Sequence, residues 1–243
     1  MRQIPLTDAL LRERNTEVAR YLEFLQVAIE RRAKITAKDG ELTLDLSLEL
    51  THTLKANLVL LLYSAMEATL VQLLDEIHEV IGSNCTDTDM LNKNLMYVIL
   101  ETVKKANKDS LSLFTAPLHQ SLFSHWISDW QGKSQAKEKR ENGISGSVDG
   151  RIFYTQLKKF GVVPPTTDDK PPSHLTSPSL KIVKDKRNML AHGEQSFTDL
   201  GRELSVTRLV EDTTAVFKTL ENISTEVNTY LQEQRYLAQP PAA

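Results

Sequence analysis

The sequence predicts an all-α fold, a helical bundle with room for a small β-hairpin near residues 34–46. Three observations carry this prediction. Apolar residues recur at spacings of three, four and seven near both ends of the chain, the period of a helix with one buried face. Between them, Leu54 to Ile81 is apolar on nearly every side, the character of a helix enclosed by other helices. Gly and Pro number nine each, and apolar residues make up 40% against 25% charged, so the chain can build its own core and is neither fibrous nor disordered.

The elements follow in order. Thr7-Asp8 can cap a first helix with Pro5 just outside it, and Leu11, Val18, Leu22, Leu25 and Ile29 form its buried stripe up to Glu30-Arg31-Arg32. From Ile35 to Leu50, leucines at 42, 44, 46, 48 and 50 alternate with polar residues behind the tight-turn pair Asp39-Gly40. Either a hairpin forms there or the next helix starts as early as Leu46. The central helix runs from Leu54 to Ile81 and stops at Gly82-Ser83-Asn84. Thr88 to Ala106 and Ser110 to Trp130 predict two more helices, the second carrying Phe114, Leu118, Leu122, Phe123, Trp126 and Trp130, with Pro117 placed to kink it. An exposed loop is expected over 131–150, then a short helix from Arg151 to Phe160 capped by Asp149 and ended by Gly161. A Pro-rich connector follows over 162–178. Leu180 to Ala191 is a helix with Gly193 at its stop, Gly193 to Ser205 a loop, and Val206 to about Gln234 the last helix, before a frayed Pro240-Pro241 tail. Too few helices flank the connector for two cores, so residues 1–243 read as a single domain.

Composition excludes several functions. A net charge of −3 is wrong for a general nucleic-acid binder, so any such contact needs a local basic patch. One cysteine, Cys85, allows neither an intrachain disulfide nor a cysteine-based zinc site. The segment Met1-Arg2-Gln3-Ile4-Pro5 has no apolar run of the signal-peptide kind, and Glu67, Asp75, Glu76 and Glu79 interrupt the central helix. The expectation is a soluble, cytoplasmic protein with no membrane span.

Chemistry concentrates in Lys184-Asp185-Lys186-Arg187-Asn188-Met189-Leu190-Ala191-His192-Gly193. A fixed cation, an amide and an imidazole stand together before a glycine, a set suited to a phosphate. Asn188 and His192 are four apart and share a helix face, whereas Arg187 and His192 are five apart, about 140° around the axis. A long Arg side chain or a loosened helix end has to bring those two together. His192 could act as general base or acid, and Arg187 could hold a phosphate and stabilise charge in a transition state. No carboxylate pair or His/Cys cluster has metal spacing, so neither metal nor cofactor is expected. Without more, the ordinary reading of an Arg and a His at a helix end is a solvated cap.

Arg187 to His192 matches the R-x4-6-H motif of the HEPN superfamily in its form with Asn after the Arg and Gly after the His. The wider text, Lys184 to Phe197 and then Gly201-Arg202, resembles the HEPN-like nuclease family named after the MAE_28990 and MAE_18760 proteins. So do Leu54-Lys55-Ala56-Asn57 leading into Leu61-Leu62-Tyr63-Ser64-Ala65-Met66-Glu67-Ala68-Thr69, and Gly146-Ser147-Val148-Asp149-Gly150-Arg151 ahead of Lys159-Phe160-Gly161. Ser64 stands where the family tends to have Asn. The resemblance implies a bundle that forms a homodimer, with the motifs of both copies meeting in a composite cleft. It also implies metal-independent endoribonuclease activity, of the toxin–antitoxin or antiphage-defence kind, on an RNA substrate, with an antitoxin or defence-system partner. On that resemblance His192 activates the ribose 2′-hydroxyl, Arg187 steadies the scissile phosphate, and Asn188 orients the imidazole or the phosphate. The products are a 2′,3′-cyclic phosphate and a 5′-hydroxyl.

Further candidates have two readings each. Glu67, in an apolar helix, either faces the cleft paired with Arg187 or Lys186 or lies on a partly wet edge, and Ser64 can face the same way. Lys184, Lys186 and Arg202 either extend a phosphate-binding surface or form a solvated face. Lys133, Lys137, Lys139 and Arg140 near Trp126 and Trp130 could bind RNA, but a charged loop beside a core aromatic stripe fits better. Two competing functions remain beside the ribonuclease: a non-catalytic HEPN-like module that binds RNA, nucleotide or a protein partner, and a helical interaction protein with no nucleic acid.

Overall fold

The structure is a computed structural model and describes residues 3–31, 33–41, 43–106, 118–135, 147–164, 166, 168 and 170–239. Eight α-helices are found among them: α1 Pro5–Glu30, α2 Leu48–Asn84, α3 Lys93–Ala106, α4 Leu118–Gln135, α5 Gly150–Phe160, α6 Pro178–Ala191, α7 Phe197–Glu203 and α8 Val206–Gln232. The only strands among the described residues are β1 Lys34–Thr36 and β2 Thr43–Asp45. They pair antiparallel with Ile35 opposite Leu44. The predicted all-α bundle with its small hairpin is what forms, and Gly40 supplies the positive φ (76°) that the turn needs.

α2 is the axis. It packs against α1, α4, α6, α7 and α8, and it buries Ala56, Leu58, Leu62, Ala65, Met66, Leu70, Leu73 and Ile77 completely. By length and composition alone it could cross a membrane. Enclosure by the other helices is the physical reason for its all-round apolar surface. It also reaches further than its apolar run suggested, from Leu48, capped by Ser47 Oγ on the Leu50 amide, through Gly82 to Asn84.

Local sequence misplaced the start of α1. Pro5 is inside the first turn, where its missing N–H costs nothing, and Thr7 and Asp8 are buried rather than capping. The cap comes from α2: the Glu76 carboxylate accepts from the amides of Leu6 (2.8 Å) and Thr7 (2.9 Å) and from the Thr7 hydroxyl. A buried carboxylate is thereby hydrogen-bonded, and its charge sits at the positive end of a helix dipole.

The middle of the chain departs in detail. Thr88–Met90 is a 3-10 turn and α3 starts at Lys93. The stretch from Ser110 to Pro117, with the expected kink, lies outside the described residues, and α4 runs on to Gln135, past the expected loop start. Trp126 belongs to the core, and Trp130 packs against it, partly buried. His78, fully buried, stacks flat on Trp130 at 3.8 Å between centroids, with Trp126 and Phe160 around it, and Trp130 Nε1 donates to Asp75 at 3.0 Å. Burial drives the His78 imidazole down to about 3, so it is neutral near pH 7. Lys137, Lys139 and Arg140 are outside the described residues.

α5 is bounded as its sequence predicted. Asp149 Oδ1 accepts from the amides of Arg151 and Ile152, and Gly161 closes the helix at φ 75°. The expected loop from Gly193 to Ser205 is corrected: it contains α7, capped by Ser196 on Asp199 and held closely on α2, with Gly201 against the His52 carbonyl. After α8 the chain folds back, pairing Leu237 with Leu91 and giving the Tyr236 carbonyl to the Asn92 amide.

Candidate functional site

α6 begins at Pro178 behind its Ser177 cap and ends at Ala191; His192 is its C-cap, with its amide on the Asn188 carbonyl at 2.9 Å, and a left-handed Gly193 (φ 71°) follows. The helix lies against α2, and that contact positions the candidate residues. The Arg187 guanidinium rests over the Tyr63 ring, 3.9 Å from its centroid. Arg187 Nη1 also donates to Asn188 Oδ1 (3.0 Å), while Asn188 Nδ2 donates to Ser147 Oγ (3.1 Å). The Tyr63 hydroxyl in turn accepts from the Val148 amide at 3.1 Å. Two adjacent residues of the 147–149 segment are thus bonded to α6 and α2, and the third, Asp149, caps α5 and pairs with Lys184 at 2.8 Å.

The three stretches that carried the family resemblance therefore converge on one place: mid-α2, the lead into α5, and the second half of α6. Tyr63 and Ser147 are the residues that residue-by-residue reading missed. Both sat inside those stretches, but nothing local shows that a ring will lie under Arg187 or that a hydroxyl will hold Asn188.

Arg187 and Asn188 are brought together by a hydrogen bond. Among the described residues no hydrogen bond or ion pair joins Arg187 to His192. Arg187 is half-buried and His192 is exposed at the helix end.

The supporting candidates divide. Lys184 is engaged with Asp149, both mostly buried, and this hydrogen bond raises the ammonium. Burial pushes the Asp149 carboxyl up, but Lys184 and the amides of Ile152 and Arg151 outweigh it and hold the group below the usual carboxylate range. Lys186 is half-buried on another side of α6, and burial lowers it; its charged neighbours are Asp212, Arg208 and Glu203, not Arg187. Glu67 makes no ion pair with Arg187 or Lys186 among the described residues. It is half-exposed one turn from Tyr63, and Ser64 is exposed on the same stretch of α2. Burial pushes the Tyr63 phenol up; the Val148 amide and Arg187 oppose this, while Glu67 and Asp149 add to it. Arg202 stands apart on α7, 3.5 Å from Asp199 and beside Glu49 and His52 at the other end of α2.

The arrangement can present an anion with Arg187 held in plane by a ring and an amide, and with an unhindered proton acceptor one turn after Asn188. A family model described as MAE_28990-like HEPN matches residues 7–236, nearly the whole chain. No curated protein and no solved structure gives a significant match.

Proposed function

The chain belongs to the MAE_28990-like HEPN family, and from that membership and the site geometry we propose that it is a metal-independent endoribonuclease. The observation that carries this reading is the held pair Arg187–Asn188 followed one turn later by an exposed His192. His192 takes the proton from a ribose 2′-hydroxyl. The 2′-oxygen attacks the adjacent phosphorus as the bond from phosphorus to the 5′-oxygen breaks, and a proton returned to that oxygen leaves a 2′,3′-cyclic phosphate and a 5′-hydroxyl. Arg187 binds the non-bridging oxygens, where charge builds in the transition state. Asn188 holds Arg187 and orients the phosphate.

The exposure of His192 beside a half-buried Arg187 supports a composite site in a homodimer, where a second copy covers the imidazole and adds its own motif. The biological setting in this reading is a cytoplasmic toxin or antiphage effector restrained by a partner protein.

A non-catalytic module is favoured by one observation, the engagement of Arg187 by Tyr63, which suits an anchor as well as a catalyst. One experiment separates the two. The purified protein is incubated with total RNA in EDTA beside Arg187→Ala and His192→Ala, and new ends are tested for cyclic phosphate. Cleavage lost in both variants supports the ribonuclease. RNA binding with no cleavage supports the module. Cleavage that survives in both variants rejects this site.

A further inference from the structure

A groove of about 820 Å³ lies between α3, α5, the start of α6 and the connector before it. Its walls carry Arg151 and Lys159 of α5 and Lys181 of α6, with Lys158 over the Tyr154 ring and Lys170 paired to Asp168 at 3.1 Å, against the acids Glu101 and Asp149. Asp149 is already occupied by Lys184 and by two amides. The protein carries −3 overall, so this cationic concentration runs against the sign of the whole chain. Among the described residues no ion pair is made by Arg151, Lys159 or Lys181, and all three are exposed. The first turn of α6, which opens into the groove at Thr176 and Ser177, has no acidic residue to offset the positive end of its dipole. On the α3 wall Tyr97 is 70% exposed, and among the described residues no ring stacks on it.

Cations in a groove with an open aromatic ring fit a chain of phosphates whose bases are free to stack. Position connects the groove to the candidate site. Lys181, Asn188 and His192 follow at seven and four residues, so they lie within about 20° of a common line along α6, which runs roughly 16 Å from groove to imidazole. The segment that holds Asn188 through Ser147 continues directly into the groove wall at Asp149, Gly150 and Arg151. We infer that the groove is the binding track for single-stranded RNA leading to Arg187 and His192, an inference that rests on the ribonuclease reading for its direction. Single-stranded RNA is required because a base paired in a duplex cannot lie on Tyr97.

The test uses the full chain and a fluorescein-labelled single-stranded RNA of mixed sequence, its duplex, and poly-glutamate as an acidic-peptide competitor. Affinity is measured by anisotropy in EDTA over a salt series, in a His192→Ala background that prevents cutting. Lys159→Glu with Lys181→Glu should weaken single-strand binding at least tenfold and reduce the salt slope by about two. Tyr97→Ala should weaken the single strand about tenfold and leave the duplex unchanged. All three positions are exposed, and unchanged melting temperatures show that the fold is intact. Unaltered single-strand affinity in both variants overturns the inference, as does equal loss on the duplex in Tyr97→Ala or groove-dependent binding of poly-glutamate tighter than RNA. If the wild type cuts RNA but the groove variants bind it normally, the groove fails and the ribonuclease stands. Groove-dependent binding with no cutting by the wild type supports the groove and rejects the ribonuclease.

Discussion

Arg187 lays its guanidinium 3.9 Å from the centre of the Tyr63 ring and turns Nη1 to Asn188, so one cation is fixed by a face and an edge at once. A free arginine has several rotamers to lose on binding a phosphate; this one has lost them on folding. The Tyr63 hydroxyl serves a second purpose as acceptor for the buried Val148 amide.

Separating those purposes gives the first prediction. Tyr63→Phe keeps the ring under Arg187 but leaves the Val148 N–H unpaired, and should cost about 1–3 kcal/mol in urea denaturation while retaining most RNA cleavage. Tyr63→Leu also forfeits the cation–π contact, about 0.5–2 kcal/mol, and releases Arg187. Its single-turnover cleavage should fall at least tenfold below the Phe variant. Equal cleavage by the two variants would show that the ring does not position the guanidinium.

Lys184 is engaged by Asp149, and this pairing predicts a structural role for it. It ties α6 to the cap of α5 through Asp149 at 2.8 Å, with side chains only 17% and 14% exposed. A double-mutant cycle of Lys184→Met and Asp149→Asn should give a coupling of about 1–3 kcal/mol. RNA affinity in Lys184→Met, measured where the variant is fully folded, should change by less than threefold. A tenfold loss of affinity with no coupling would return Lys184 to the phosphate surface.

Much of this was legible in the sequence, and the exceptions share a cause. α5 could be bounded because Asp149 and Gly161 act on their own helix, and α8 because its stripe runs for many turns. α7 spans only seven residues, too few for a period to register, although Ser196 and Asp199 form a local cap. The start of α1 could not be read because its cap, Glu76, lies 69 residues away from Thr7. The site behaves the same way. Arg187, Asn188 and His192 stand close in the chain and were visible as a motif. Tyr63 and Ser147 meet Arg187 and Asn188 only through the packing of α2 and the lead into α5, and the same packing pairs Lys184 with Asp149.

His78 makes a pH prediction. Its ring is fully buried on Trp130, with Nδ1 on the Leu74 carbonyl at 2.7 Å, and burial lowers its folded value to about 3 from an ordinary 6.5. Between these values the unfolded chain binds the extra proton and the folded chain does not, so the contribution is complete above pH 6.5 and is lost as pH falls toward 3. One such proton gives a slope of at most about 1.4 kcal/mol per pH unit. His78→Phe should stack on Trp130 and show a flatter stability profile than wild type between pH 4 and 6, by up to that slope. Parallel profiles would mean that the ring takes up its proton inside the fold.

Two glycines test different constraints near the ends of α6 and α7. Gly201 approaches α2 so closely that an added Cβ would fall 1.8 Å from the His52 carbonyl oxygen, and backbone on both sides leaves nothing flexible to yield. Gly193 faces open space, and only its φ of 71° resists a side chain, a cost of roughly 1–2 kcal/mol. Gly193→Ala should therefore lower Tm by about 2–8 °C for a chain of this size, and Gly201→Ala by distinctly more, with α7 displaced from α2. Because Gly193 follows His192 directly, its variant should also slow RNA cleavage under conditions where it is fully folded. Gly201→Ala, if stabilised by osmolyte enough to refold, should regain cleavage in proportion to the folded fraction. The reverse order of melting temperatures would show that α7 does not rest on α2 at this contact.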